Sequence, residues 1–420
     1  MTPSPGSSRL DYLDATRAFA LVLGVVFHAS LSFLPFFIGW AVQDVSTSPA
    51  IGWFMTVSHS FRMETFFLLA GFFGCMTLHR KGVAEFIRSR AIRLGVPFVV
   101  GWFLLRPLLV AGWNIGFASM RGDYHFWAGL AEGFRSLRNL PAGIFTQTHL
   151  WFLYYLALVT ALALGARALL NVAGKRRATM LRWADRGVAW VAQSPFGLLA
   201  LIVLSVAVLS SMKVWGVDTP DQTLVPEWPV VLMYGGGFAF GWLLGRQPEA
   251  IEAFTRLTAT RWALAVASVA VALLLTPIQL DRGHPYFAAA HRAFVVTYAV
   301  MMWSLVTLTI GVFRVLCRRP RAWVRYVADS SYWMYLIHLP LVVWLQVAVA
   351  EYSVHWSLKL AGITLVVVGA ALLSYDLFVR STFIGWVLNG RRRERVIGPA
   401  LVQKLRRTRA ATGRPSPAAN

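Results

Sequence analysis

Apolar positions in this chain come in long unbroken runs, each closed by a short polar or basic stretch. A helix rising about 1.5 Å per residue needs roughly 20 apolar residues to cross a hydrocarbon core about 30 Å thick. Runs over 15–38, 52–79, 94–113, 149–170, 195–212, 229–245, 262–279, 289–313, 331–350 and 358–379 approach that length. They predict an all-α polytopic membrane protein with about ten transmembrane helices. The run 229–245 is short and holds Gly235, Gly236 and Gly237. Between the third and fourth runs, residues 114–147 include an aromatic, amphipathic piece from Tyr124 to Phe134, suited to lying on a membrane surface. The first run is too long for a signal-peptide core, and no small-residue cleavage pattern follows it. Residues 1–382 thus read as one membrane-embedded domain, and 383–420 as a basic tail.

Composition supports this reading. The chain is 57% hydrophobic and only 14% charged, where soluble domains carry about 25% charge. A net charge of +22 raises the question of nucleic acid, but the basic residues sit in short loops between apolar runs. One alternating set of loops holds Arg80, Arg88, Lys175, Arg177, Arg246, Arg314 and Arg325, with many neighbours, and the tail adds Arg391 to Arg414. The other set holds little beyond Arg121, Arg135, Arg138, Lys213 and Arg282. That asymmetry is the positive-inside pattern, which predicts both termini on the cytoplasmic side and no nucleic-acid partner. The tail then contacts anionic membrane lipid. The two cysteines, Cys75 and Cys317, fall at predicted cytoplasmic ends, and nothing points to a disulfide or a metal site.

Ionisable groups inside the runs carry the chemistry. Eleven residues separate Arg17 from His28, about three helical turns, so both point the same way roughly 16 Å apart. Arg17 then lies at one surface and His28 near the midplane. Running inward from the opposite face, the second span brings His59 and Arg62 to a similar depth, on one helix face. Spans joined by a short loop are usually neighbours, so His28, His59 and Arg62 are expected to share an interior cavity. Glu64 points elsewhere and is expected to pair with a basic group on another span. Any one of these groups, taken alone, is equally consistent with a buried structural partner; several at matched depth favour a site. Before the third span, Arg90 and Arg93 form a cationic pair able to grip phosphate by forked hydrogen bonds, although taken alone ordinary loop charge explains them better. His149 and Trp151 open the fourth span, in an aromatic belt or beside a sugar. His338 lies some turns into the ninth, with Pro340 loosening the helix around it.

These residues resemble the membrane-bound acyltransferase type 3 family. The resemblance rests on Arg17 with His28 eleven residues on, Arg90-x-x-Arg93, Phe66-Phe67-Leu-Leu-Ala-Gly71-Phe, His149-Leu-Trp151-Phe-Leu and Tyr335-Leu-x-His338-x-Pro340. It runs from Leu10 to about Thr382. The wording around His59 and Arg62, with Arg93-Leu-Gly-x-Pro97, is most similar to the branch associated with succinylation of osmoregulated periplasmic glucans. The resemblance implies a multi-pass enzyme of the bacterial inner membrane that uses cytoplasmic acyl-CoA (succinyl-CoA or acetyl-CoA) as donor substrate, with no permanently bound cofactor. Its expected acceptor is a glucan or other glycan, and its partners extend to membrane lipids and glucan-synthesis proteins. Arg90 and Arg93 are then expected to hold the CoA phosphates, and the Arg17–His28 pair to be essential.

Chemistry supplies further roles. A near-neutral imidazole such as His28 can take the proton from the attacking hydroxyl, or accept the acyl group itself. Arg62 suits the oxyanion that develops on the thioester carbonyl. Asp14, one turn before Arg17, suits orienting it. Two rivals remain at this stage: an O-acetyltransferase acting on another exported polysaccharide, lipid-linked sugar or small metabolite, and a proton-coupled transporter or flippase, for which intramembrane His and Arg and a Gly-rich span are also suitable. The outer segments 114–147 and 213–228 are where acceptor specificity is expected.

Overall fold

Pro35 closes the first apolar run early. The residue before a proline is pushed out of the helical region, and Leu34 is extended (φ −66°, ψ 141°). Helix α1 (Asp11–Ser30) therefore ends in a 3-10 turn, Leu31–Phe33. The rest of the run, predicted as helix to 38, crosses the face as a loop. The structure is a computed structural model that describes residues 11–138, 148–213, 215–319 and 321–396. The expectations for 1–10, for part of 114–147 and for the end of the tail lie outside the described residues.

Among the described residues the chain is helical throughout. After α1 come α2 (Pro49–Lys81), α3 (Val83–Arg90), a π-helical turn (Ala91–Gly95), α4 (Val96–Ser119), α5 (Phe126–Arg135), α6 (Trp151–Val172), α7 (Lys175–Gln193) and α8 (Gly197–Leu209). Then follow α9 (Trp228–Leu244), α10 (Ala250–Phe254), α11 (Ala259–Leu280), α12 (Phe287–Leu316), α13 (Ala322–Val349), α14 (Trp356–Ser374), a second π turn (Tyr375–Val379) and α15 (Phe383–Asn389). Every predicted span has a helix. Eight are long and apolar enough to cross a membrane, nine if α7 and α8, bent by 106°, count as one. The 17-residue α9 falls short of that length. The basic stretch after α6, predicted as a loop, is the helix α7, tied to the end of α9 by a forked pair between Arg246 and Asp185 at 2.8 and 2.9 Å.

Helices α1, α2 and α12 form the inner bundle. The apolar window of α2 is 72% buried, against 22% for α11 on the periphery. Helix α2 begins at a capped turn, Ser48 accepting from the Ala50 amide with Pro49 at the first helical position. It packs on α9 through glycines. Gly237, Gly241 and Gly245 repeat every four residues along one face of α9. A Cβ at Gly241 would collide with the Leu68 carbonyl, and one at Gly71 with the Phe238 carbonyl. Small residues at this spacing let two helix backbones touch. Of the three adjacent glycines that suggested a transporter, Gly237 belongs to this packing face, while Gly236 has nothing within 4 Å.

Two faces can be distinguished. Arg80 and Lys81 end α2, Arg314 lies near the end of α12, and Arg325 near the start of α13 reaches Asp11 at 3.7 Å. This is the basic face. Residues 383–396 are docked on it: Asn389 bonds the Asp329 carbonyl, Arg393 pairs with Asp329 at 2.8 Å, and the Val396 amide donates to Asp376. The opposite face is folded over by the loop 34–48, anchored by a buried ion pair from Asp44 to Lys359 of α14 at 2.7 Å.

Candidate active site

Helix α1 runs unbroken between Arg17 and His28, so the eleven-residue spacing delivers them to different depths of one helix. Arg17 lies at the basic face, paired with Asp14 at 3.1 Å. Arg17, Arg90 and Arg93 are within electrostatic reach of one another there. Arg90 ends α3 and Arg93 lies within the π turn that follows, and π turns often mark functional positions. Arg90 turns toward Phe86, its Cζ 5.2 Å from the ring centroid, and toward Gly74 of α2. Arg93 donates to the Leu388 carbonyl at 3.0 Å, and its own carbonyl accepts from the Tyr332 hydroxyl.

His28 lines a cavity of about 1060 Å³ that lies among α1, α2, α4 and the loops of the opposite face. The imidazole makes no hydrogen bond to any described residue, and its Nδ1 is buried without a partner. Rings hold it instead. Trp40 stacks on it, with planes 14° apart and centroids 5.8 Å apart, and His338 packs at 5.3 Å. His149 continues the row, 5.5 Å from His338. Pro340 explains where His149 binds. A proline inside a helix removes the N–H that would serve the carbonyl four residues back, here that of Leu336. His149 Nε2 donates to that carbonyl at 2.9 Å, and the Tyr335 hydroxyl donates to the His149 carbonyl at 2.7 Å. His338 donates Nδ1–H to the Tyr335 carbonyl at 2.7 Å, which leaves its Nε2 as an acceptor. Thr148, just before His149, has φ 52°, a conformation a β-branched residue rarely adopts.

His59 also lines the cavity, within 3.0 Å of the Tyr298 hydroxyl and against Trp215 at 5.4 Å. Arg62 does not line it. Its guanidinium lies over Phe27 at 4.3 Å, and the same Phe27 ring touches His28 at 5.3 Å and His59 at 5.9 Å. The predicted trio therefore meets around Phe27, with Arg62 one layer deeper. Gly24, one turn before His28, presents no side chain to Arg62, and a Cβ there would lie 3.7 Å from Nη1. Arg62 is 6% exposed, with no carboxylate of the described residues in salt-bridge range and Nη1 unbonded. Glu64 is the exception to expectation. Instead of pairing with a basic group on another span, it faces Gly237 of α9, neither carboxyl oxygen making a hydrogen bond. Trp151 lines the cavity and stacks on Tyr234 at 5.7 Å. Among the described residues no three His, Cys, Asp or Glu side chains are grouped to hold a metal ion.

The cavity wall contains groups that sequence reasoning passed over. Trp40, Trp113 and Trp215 supply flat aromatic faces, and Asp218, Asp221 and Gln222 come from the loop after α8. Burial pushes the Asp221 carboxyl up from its ordinary value, against the opposing hydrogen bond from Gln222. Arg106 reaches the cavity from the middle of α4, its Cζ 5.1 Å from the Trp102 ring. A lone cation inside the third span carries the same signal that singled out His28, so Arg106 was findable. The tryptophans were not, because aromatic residues at span ends are equally expected as membrane anchors.

A histidine at the end of an aromatic cavity, with arginines gathered at the other end of the same helix, fits group transfer across a membrane-embedded bundle. The acyltransferase domain family, type 3, matches residues 10–377. The chain belongs to that family and is a multi-pass membrane acyltransferase. Among curated proteins it is similar to glucans biosynthesis protein C of Escherichia coli K12. The two are 24% identical over 405 residues, covering 93% of this chain and 97% of the relative. The proteins of the same name in Escherichia coli O81 and O157:H7 match at the same identity and coverage. No solved structure matches the chain.

Proposed function

We propose that this enzyme moves an acyl group, succinyl as first choice, from cytoplasmic acyl-CoA to a hydroxyl of a periplasmic glucan, across the bacterial inner membrane. The observation that carries the reading is the division of labour along α1: Arg17 stands with Arg90 and Arg93 at the basic face, and His28 lies in the cavity that the loops of the opposite face enclose. On this reading the basic face, where the described chain begins at Asp11 and ends at Val396, is cytoplasmic. The arginines hold the phosphates of CoA, which could not leave that surface cheaply, and the thin thioester arm reaches inward. The tryptophan faces and the polar loop after α8 suit a carbohydrate acceptor, whose rings stack on indoles and whose hydroxyls bond carboxylates and amides.

In the transfer itself His28 takes the proton of the acceptor hydroxyl, and the freed oxygen attacks the thioester carbonyl. The carbonyl's electron pair moves onto its oxygen. Arg62, one layer beneath Phe27 and outside the cavity lining, favours that oxyanion through its charge at longer range, without a direct bond. Collapse expels the CoA thiolate, which takes the proton back from His28, and leaves an ester on the acceptor. His28 can instead carry the acyl group in two steps. Asp14 orients Arg17 through their ion pair. The similarity to glucans biosynthesis protein C supports the choice of glucan among possible glycans. The test is mass spectrometry of periplasmic glucans from a host lacking such an enzyme, with this chain supplied or withheld. Anionic succinyl esters appearing only with the chain are the expected result. Unmodified glucans, alongside acyl-CoA turnover by the purified protein, would overturn the acceptor and leave another exported glycan or metabolite in its place.

A further inference from the structure

Helix α1 ends at Ser30 and tightens into the 3-10 turn Leu31–Phe33, an end where carbonyls take partners outside the α-helical ladder. Two of them, those of His28 and Ala29, accept from the side-chain amide of a single residue, Gln346 of α13, each at 3.0 Å. The other end of the same amide, Oε1, accepts from the Trp40 indole N–H at 2.9 Å. Trp40 is the ring stacked on His28. Gln346 is 1% exposed and does not line the cavity, so it touches neither solvent nor substrate. A glutamine in the apolar core of a span is a costly choice unless all its groups are bonded; here both ends are, and both lead to His28.

We propose that Gln346 is a positioning residue that fixes His28 from two sides, holding its backbone at the end of α1 and its ring through Trp40. His28 has no hydrogen bond of its own to choose a rotamer. Its direction is set by the flat contact with Trp40 on one side and His338 on another. Trp40 in turn rides on a loop, not a helix, and its indole N–H has this one hydrogen bond to hold its angle. With the amide removed, the indole is free to rotate and the last turn of α1 loses the donor its two carbonyls share. The imidazole is then misaimed while the donor arginines, at the other end of α1, are undisturbed. The inference rests on the acyl-transfer reading for its catalytic consequence but not for its geometry.

Two measurements on the full-length protein in detergent separate these parts. The first is the rate of carbethoxylation by diethyl pyrocarbonate at each histidine, read by peptide mass spectrometry. In Gln346→Leu, similar in size but without hydrogen bonds, the His28 rate should rise severalfold, while buried His149 and His338 and exposed His79 keep wild-type rates. An unchanged His28 rate, or equal rises at His149 and His338 showing general loosening, would overturn the proposal. The second is steady-state acyl transfer. Gln346→Leu should lower kcat about tenfold or more with donor KM within twofold; the deciding comparison is Trp40→Phe, which keeps the stacked ring and loses the N–H. If Gln346 works through Trp40, the kcat loss of the Trp40→Phe, Gln346→Leu double variant is smaller than the product of the two single losses. Fully multiplicative losses would confine Gln346 to the backbone of α1 and refute the two-sided hold. If wild-type protein transfers no acyl group, the acyltransfer reading fails, and the His28 modification rates alone decide the positioning.

Discussion

Lys359→Met tests how the loop over the cavity is held. Lys359 and Asp44 are 3% and 1% exposed at their side chains, and Nζ lies 2.7 and 2.9 Å from the two carboxyl oxygens. The lysine also donates to the Ala350 carbonyl at 3.3 Å, and Asp44 accepts from the Ser46 amide at 2.8 Å. Burial pushes the Asp44 carboxyl up from the usual carboxylate range, against the pull of Lys359 and Ser46, so the pair does not fully offset the loss of water. Removing one partner of such a pair strands the other, at about 3–5 kcal/mol. Removing both leaves little behind, and apolar replacements of similar volume are often neutral. Lys359→Met alone should therefore destabilise by about 3–5 kcal/mol, and Asp44→Leu with Lys359→Met should recover most of that loss. Equilibrium unfolding in a mixed detergent series, followed by tryptophan fluorescence, gives both numbers. Because the loop carries Trp40, the single variant should also lose acyl transfer at temperatures where it remains folded. A single variant as stable as wild type, or a double variant worse than the single, would refute the reasoning.

Other consequences follow from packing and charge. Gly241→Leu should abolish recovery of monodisperse protein on size exclusion, since no Cβ fits against the Leu68 carbonyl, whereas Gly362→Leu, with nothing within 4 Å, should be recovered normally. Arg90→Ala and Arg93→Ala should each raise the donor KM about tenfold or more while changing kcat little, read from acyl-CoA turnover, if they grip the donor phosphates as proposed, far from the reacting bond. Trp113→Ala, in the cavity wall, should raise the acceptor KM and leave the donor KM alone.

The spans could be read from the sequence because each is a continuous apolar run, and a run needs no partner to be recognised. Arg17, His28, His59 and His149 were legible for the same reason: an ionisable side chain in such a run stands out whatever lies beside it. The ends of elements were less so. Pro35 shortens α1, and α7 forms a helix from a sequence that its charge alone marks only as a loop. Relations between spans were the least legible. Nothing local places Glu64 against Gly237 rather than against a cation, since that follows from the glycine face shared by α2 and α9. Trp40 and Gln346 lie 306 positions apart, and their common target is visible only when α1, α13 and the loop between α1 and α2 are assembled. Pro340 sits between the two cases. Its missing N–H is a sequence fact, but the histidine that takes up the Leu336 carbonyl comes from another helix.

The central claim is that His28 performs the transfer. Purified protein reconstituted into vesicles, given acyl-CoA on the basic face and a glucan acceptor on the other, should acylate the acceptor and release free CoA. His28→Ala, folded by the same unfolding assay and with donor binding unchanged, should do neither. Undiminished acylation by His28→Ala would contradict the account.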